Sequence, residues 1–302
     1  RAFEYSRLHE IQFPDSLIRI YPMAFRLSTN LESIVIPRNV SRIDRIAFGE
    51  CLNLTSIAVD NENRYFSAQD GVLFNKNKTV LIQYPSGKSG SYAIPESVRT
   101  IAEEAFSRSD RMNFFIIPSS VSNIGEYAFY GTSATKIIFQ GDAPAVSSTA
   151  FNSSYYLKIY SFSEKSGFSY PLWSNEPSLI IDETLYPAAR WLTRNGLDFE
   201  QDLNMDPRLS GYPLILWYAL NHDLESESPP VLRPDISSSE LSVSFYSQAE
   251  GIVYIVRSSS DLMNWSESDL TLDLPDSNGY RVARIPRSED SRFIQLTVEL
   301  RQ

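Results

Sequence analysis

Residues 31–57, LESIVIPRNVSRIDRIAFGECLNLTSI, carry the spacing that decides the fold. They hold one complete unit and the start of the next: Leu31, Ile34 and Ile36, then Pro37, Val40, Ile43 and the pair Ala47-Phe48, and again Leu54 and Ile57. Working outward, Ala-Phe recurs at positions 2, 24, 47, 105, 128 and 150, in steps of 22, 23, 58, 23 and 22 residues. The pattern P-x-x-[LV]-x-x-I-x-x-x-A-F is met by Pro14/Leu17/Ile20/Ala24, Pro37/Val40/Ile43/Ala47, Pro95/Val98/Ile101/Ala105 and Pro118/Val121/Ile124/Ala128. A triplet of the type L-x-x-I-x-I leads the units: Leu8/Ile11/Phe13, Leu31/Ile34/Ile36, Leu54/Ile57/Val59, Met112/Phe115/Ile117 and Ala134/Ile137/Phe139. A fixed period of this length marks stacked repeats.

Each unit reads as a short strand, a turn, a second extended stretch and a helical turn. Ile34 and Ile36 lie two residues apart and share one strand face, which leaves Ser33 and Val35 on the other. One unit cannot bury its apolar face alone. Copies stacked ~4.8 Å apart form a parallel ladder with continuous apolar columns, in which the small Ala allows close approach and the Phe fills each layer. The expected fold is therefore a repeat solenoid, mostly β with short helical turns, over residues 1–176. Residues 60–94 interrupt it with an insertion. There Asp70-Gly71 signals a turn, and Val72 to Phe74 followed by Thr79 to Tyr84 reads as a hairpin that projects from the solenoid or packs along one side. The copy at 137–160 lacks the proline pattern and is expected to cap the array.

Prolines 171, 177 and 187 mark a change of composition, with the linker near 170–182. Residues 177–228 read as a short helical segment, with one helix over Asp182–Leu197 and a second over Tyr212–Leu224. From 229 to 302 the period changes to two, and LSVSFYS, GIVYIVRSSS, YRVARIP and RFIQLTVEL are candidate strands of a small antiparallel β-sandwich. Charge divides the same way. Residues 1–176 carry 17 basic and 17 acidic side chains, whereas 177–302 carry 10 and 20, with no lysine. A net charge of −10 argues against a nucleic-acid partner. The longest apolar run is the nine-residue YPLILWYAL at 212–220, shorter than the ~18–20 residues of a membrane span. The chain begins at Arg1 with neither Met nor a secretory pattern, so upstream sequence is expected.

The phrase at 31–57, the insertion YFSAQDGVLFNKNKTVLIQYPSGKSGSYAIPESVRTIAEEAF and the closing IIFQGDAPAV…AF resemble BspA-like leucine-rich repeats over about residues 1–165. That resemblance implies bacterial secreted or cell-surface proteins that act by binding, often in adhesion. The second half resembles a C-terminal tail of secreted bacterial proteins. Its matching residues are Trp191, Leu192, Gly196, Tyr218, Ala219 and Leu220, then Tyr254, Val256, Ser259, Asp261, Leu262 and Trp265. The tail implies export more than chemistry.

Catalytic and metal signals are scarce. His9 and His222 are the only histidines, and no G-x-S-x-G elbow, phosphate loop or dinucleotide fingerprint accompanies them, so no enzyme activity is expected. Asp202, Asn204 and Asp206 alternate like the first ligands of a calcium loop, making calcium the one weak cofactor candidate. Pro207 stands where such a loop needs Gly, and Pro213 where it needs Glu, which points to a solvated turn. Cys51, the only cysteine, reads as a small buried thiol.

A binding surface can be read from the outward strand positions. They run Glu10 and Gln12, Ser33 and Val35, Ser56 and Ala58, Ser91 and Ala93, Phe114 and Ile116, then Lys136 and Ile138. Phe114, Ile116 and Ile138 would form an apolar patch, either a ligand site or a face covered by the insertion or the second domain. Two function classes stay open. One is a non-enzymatic adhesin-like module that binds a protein or glycan at a cell surface or matrix. The other is a structural subunit of an extracellular assembly, self-associating through the acidic C-terminal region.

Overall fold

The computed structural model describes all residues except 1, 171, 184–185, 206–213, 222–223, 225–231, 233, 237–239, 261, 269, 287–292 and 302. The chain divides into two units, Arg1–Asp182 and Glu183–Gln302.

In the first unit the coils build two parallel rows of strands, numbered in chain order. The first row is β2 (Ser33–Ile36), β4 (Ser56–Val59), β8 (Gly90–Ala93), β10 (Met112–Ile117), β12 (Lys136–Phe139), β14 (Lys158–Ser161) and β16 (Glu176–Ile180). Here β2 pairs with β4, and β8 to β16 form one continuous parallel ladder. The second row is β1 (Arg19–Ile20), β3 (Arg42–Ile43), β7 (Val80–Gln83), β9 (Thr100–Ile101), β11 (Asn123–Ile124) and β13 (Ala145–Val146). It splits likewise into β1–β3 and β7–β9–β11–β13. Between the rows, each repeat proline accepts a turn bond from the residue three on: Leu17, Val40, Val98 and Val121 donate to Pro14, Pro37, Pro95 and Pro118.

The expected helical turns at Ala-Phe are not helices. The residue before four of the Ala residues is left-handed, Met23, Ile46, Glu104 and Tyr127 having φ between 52° and 59°, and so are Leu27, Glu50, Arg108, Gly131 and Ser153 three residues after an Ala. An α-helix needs φ near −63° throughout, so two such residues per coil redirect the amides out of the turn. They bond the next coil instead. The N–H of Phe25 donates to the Ala47 carbonyl at 2.8 Å, Phe106 to Ala128 at 2.7 Å and Phe129 to Ala150 at 2.8 Å.

The Phe rings stack along this ladder: Phe3 on Phe25 at 5.2 Å, Phe25 on Phe48 at 5.7 Å, Phe106 on Phe129 at 5.0 Å and Phe129 on Phe151 at 5.6 Å. Two further members lie outside the Ala-Phe pattern. Tyr84 packs on Phe106 at 5.2 Å and sends its N–H to Ala105 at 2.8 Å, so Gln83-Tyr84 takes the place of an Ala-Phe pair. Trp173 lies 6.2 Å from Phe151. The long step of 58 residues is thus one coil of 36 and one of 22, and a 22-residue step separates Phe151 from Trp173.

The insertion does not project. Strands β5 (Phe66–Gln69) and β6 (Val72–Asn75) form a hairpin around Asp70-Gly71, whose φ values of 52° and 77° are those of a tight two-residue turn, and β6 runs antiparallel to β7. Val72, Leu73 and Phe74 are apolar in succession, so both faces of β6 are buried. Val72, Phe74, Leu81 and Tyr84 belong to the core of the later coils, whereas Phe66 and Leu73 belong to the core of the first coils. This meander therefore joins two cores that the broken ladders leave separate.

The copy at 137–160 is not the cap, because β14 has strands on both sides. The array closes one coil later, where β15 (Leu172–Trp173) turns back antiparallel on β16 and Trp173 packs against Phe139 and Phe168. Strand β16 carries the first unit past residue 176.

In the second unit, α1 (Ala189–Arg194) is shorter than the expected helix because Pro187 keeps Tyr186 out of the helical region. It ends as Gly196 implies, with φ 75° there and the Leu197 N–H returning to the Leu192 carbonyl. Helix α2 (Leu214–Ala219) stops before left-handed Asn221, and Tyr212, Pro213, His222 and Asp223 lie outside the described residues. The period-two stretches give two antiparallel sheets. One comprises β17 (Pro234–Ile236), β18 (Glu240–Tyr246), β20 (Thr271–Leu272) and β21 (Tyr280–Pro286); the other is β19 (Ile252–Ser259) with β22 (Phe293–Leu300). Val243, Phe245 and Ala283 of the first share a core with Val256 of the second, while Trp191, Leu192, Leu214 and Tyr218 pack with Ile252. Helices and sheets thus share a core.

Removing one ring from the stack opens a cavity between two coils. Phe106→Ala is expected to cost about 3–5 kcal/mol and lower the melting temperature clearly, measured by circular dichroism. A change below about 2 °C would contradict the stacked core.

Candidate functional site

The outward strip is flat and small in the first coils. Ser33 stands opposite Ser56 and Val35 opposite Ala58. Ser33, Val35 and Ala58 are exposed, Val35 at 56%, and Ser56 is half-buried. The gap between β4 and β8 is filled by the insertion's turn. The Ile57 N–H donates to the Gly71 carbonyl at 2.8 Å, and a Cβ on Gly71 would stand 3.2 Å from the Ser56 Cα, so only glycine fits at this contact. The Lys88 ammonium holds the other side of the turn through the Asp70 carbonyl at 2.8 Å. Beyond it, Ser91 and Ala93 are exposed.

The apolar end of the strip is closed. Phe114 and Lys136 are half-buried, but Ile116 is 2% and Ile138 0% exposed. These two isoleucines face each other in register and lie outside the interior core, as do Phe162 and Ile181 just past β14 and β16, each 2% exposed. A row of large apolar side chains in water costs ~25 cal/mol per Å², which favours its burial. Ile116 and Ile138 are therefore corrected from open surface to buried positions. The strip left open runs through Ser33, Val35, Ser56, Ala58, Ser91 and Ala93.

Between coils the polar side chains are committed to structure. Asp44 accepts from Arg19 at 2.6 Å and from Arg42 at 2.7 Å, and these bonds, Arg19 foremost, hold its carboxyl below the usual range. Arg26 links Glu4 and Glu50 at 3.6 and 2.5 Å. A column of hydroxyls continues the pattern. Ser28 donates to the Phe3 carbonyl and Ser154 to that of Phe129, both at 2.7 Å, and Cys51 occupies the same place with its thiol toward the Phe25 carbonyl. Burial pushes that thiol up to about 12, which leaves it protonated and unreactive at neutral pH. Thr132 donates instead to the Ser109 carbonyl at 3.2 Å, and Ser109 departs further. Its Oγ has no partner because the equivalent carbonyl, that of Tyr84, is taken by Gln83 Nε2 at 3.0 Å.

The Asp202 carboxylate accepts from the backbone and side-chain N–H groups of Asn204, at 2.9 and 3.2 Å, and Asp206 lies outside the described residues. Among the described residues no group of three or more His, Cys, Asp and Glu comes together, and no helix is long and apolar enough to cross a membrane. His9 is exposed, 3.7 Å from Glu32. The tail-like residues are structural. Trp191 packs on Tyr218 at 5.7 Å, the Tyr218 hydroxyl donates to the carbonyls of Pro187 and Glu250, and the Tyr254 hydroxyl donates to that of Ala219 at 2.6 Å. Asp261 lies outside the described residues.

The repeat geometry meets a known family. The family model described as a BspA-type leucine-rich-repeat region matches residues 1–87 and 82–170, with six copies. The chain belongs to that family. A leucine-rich-repeat protein from Eubacterium ventriosum is 27% identical with a TM-score of 0.50, over 59% of this chain and 50% of that one. A leucine-rich cell-surface protein from Faecalibacterium prausnitzii is 20% identical with a TM-score of 0.42, over 65% of this chain and 64% of that one. The pneumococcal vaccine antigen PcpA is 20% identical with a TM-score of 0.37, over 67% and 69%. This BspA-type chain thus spans half the length of the first relative and under two thirds of the second. No match is found among the curated proteins.

The open and closed halves of the strip differ in what they tolerate. Ile138→Asp is expected to destabilise by several kcal/mol, because it buries a carboxylate, whereas Val35→Asp is expected to cost about 1 kcal/mol or less. Chemical denaturation measures both. Equal losses would contradict the division.

Proposed function

We propose that this chain is a non-enzymatic recognition module of the cell exterior that binds a protein partner through the open strip of its first coils. The observation that carries this reading is the pairing of Ser33 with Ser56 and of Val35 with Ala58 on parallel strands, where small side chains leave a flat face in solvent. A flat face backed by a rigid core loses little entropy on binding. It suits a folded surface better than a small molecule, which needs a concave apolar pocket. Asp44, Arg26, Ser28 and Ser154 are occupied in holding coils together, and this supports binding over catalysis. The BspA resemblance and the tail-like motif support an extracellular or surface location.

Immobilised full chain can be screened against purified extracellular-matrix proteins by surface plasmon resonance, alongside Val35→Asp and Ala58→Arg. At least one matrix protein is expected to bind, and both variants are expected to weaken it tenfold or more while melting stays near wild type. Unchanged affinity in both variants would sink the strip. Binding of no matrix protein, together with concentration-dependent self-association in light scattering, would favour a structural subunit instead.

A further inference from the structure

A concavity of the first unit lies on another edge of the coils, along the turns that begin at the repeat prolines. It is an open groove of about 910 Å³. Three successive coils build it: Ser16 and Ile18 from the first, Arg38 and Asn39 from the second, and Arg64 and Tyr65 from the start of the insertion. The insertion makes the groove because it replaces the third proline turn. In its place Asn63, fully buried, donates from Nδ2 to the Pro37 and Val40 carbonyls at 2.8 and 2.9 Å and accepts the N–H groups of Tyr65 and Phe66, which stands the Tyr65 segment up as a wall.

We propose that this groove binds an oligosaccharide, one sugar ring lying on Tyr65 and its hydroxyls meeting the polar groups around it. The ring of Tyr65 is 53% exposed and Ile18 62%, so the groove offers one aromatic and one aliphatic platform to the C–H face of a pyranose. Between them stand a guanidinium, an amide and hydroxyls. Arg38 is aimed by Glu62 at 2.6 Å, with Asp15 and Asp60 at 3.7 and 3.8 Å. The side chains of Ser16, Arg64 and Tyr65 make no hydrogen bond or ion pair to other described residues and are available to a ligand.

Charge and backbone argue for this ligand class. Glu62, with Asp15 and Asp60 close by, already neutralises Arg38, so an anion meets carboxylates beside that guanidinium. A peptide finds no strand edge, because the Ser41 N–H already bonds the Ile18 carbonyl and Asn63 occupies those of Pro37 and Val40. A neutral, hydroxyl-rich ring fits what is left. The groove is separate from the open strip, so the two proposals fail independently.

The test is a printed array of neutral and acidic oligosaccharides probed with the full chain, followed by calorimetric titration of the best-retained sugar. Tyr65→Ala and Arg64→Ala are expected to weaken binding tenfold or more, Tyr65→Phe less than threefold, and Val35→Asp not at all, with melting within about 2 °C of wild type in each. Retention of no sugar above the blank would overturn the proposal. So would equal affinity for Tyr65→Ala, or retention of charged sugars only that vanishes in high salt.

Discussion

The structure depends on one repeated link: the amide of an aromatic residue donates to the alanine carbonyl of the next coil, and its ring stacks on that coil's ring. The first half of the link sets the rise between coils, and the second fills the layer that rise creates. Both need a residue small enough to let backbones approach, which is why Ala24, Ala47, Ala105 and Ala128 are all nearly or fully buried. The left-handed residues flanking each pair are the conformational cost. A non-glycine residue there costs roughly 1–2 kcal/mol, and Ile46, branched at Cβ, is held at φ 59° only because the amides so freed find partners in the neighbouring coil.

Where the repeat sequence fails, the link persists in altered form. Gln83-Tyr84 keeps the aromatic ring and the amide bond but places a longer polar side chain in the alanine's position, and Gln83 then satisfies the Tyr84 carbonyl itself. That substitution propagates to Ser109, whose hydroxyl loses the acceptor its counterparts use. The same coil brings the hairpin that bridges the two cores and the buried Asn63 that raises one wall of the groove. Continuity of the solenoid and the shape of its surface are thus consequences of one departure from the repeat.

The sequence made much of this legible, and the failures have physical reasons. Spacing of Leu, Ile, Pro and Ala-Phe located the strands and their register, because a stacked core admits few alternatives. Tyr84 and Trp173 escaped a search for Ala-Phe, although the 22-residue steps to Phe106 and from Phe151 were available to a search on aromatic position alone. The insertion reads equally as projecting or packing along one side, because the burial of Val72 to Phe74 on both faces depends on a fold closing around it. For the strip, alternation predicts which way Ile116 and Ile138 point but not whether that face is covered. In the second unit, periodicity found the strands, while a proline and a left-handed asparagine trimmed the helices. The groove was invisible, since it arises from three separate turns.

Hydrogen exchange resolved by residue tests the inter-coil link most directly. The amides of Phe25, Tyr84, Phe106 and Phe129 are expected to exchange together among the slowest of the first unit, with Tyr84 no faster than the others despite its place in the insertion. Exchange of the Tyr84 amide at the rate of an exposed loop would contradict its place as the first rung of the later coils' ladder.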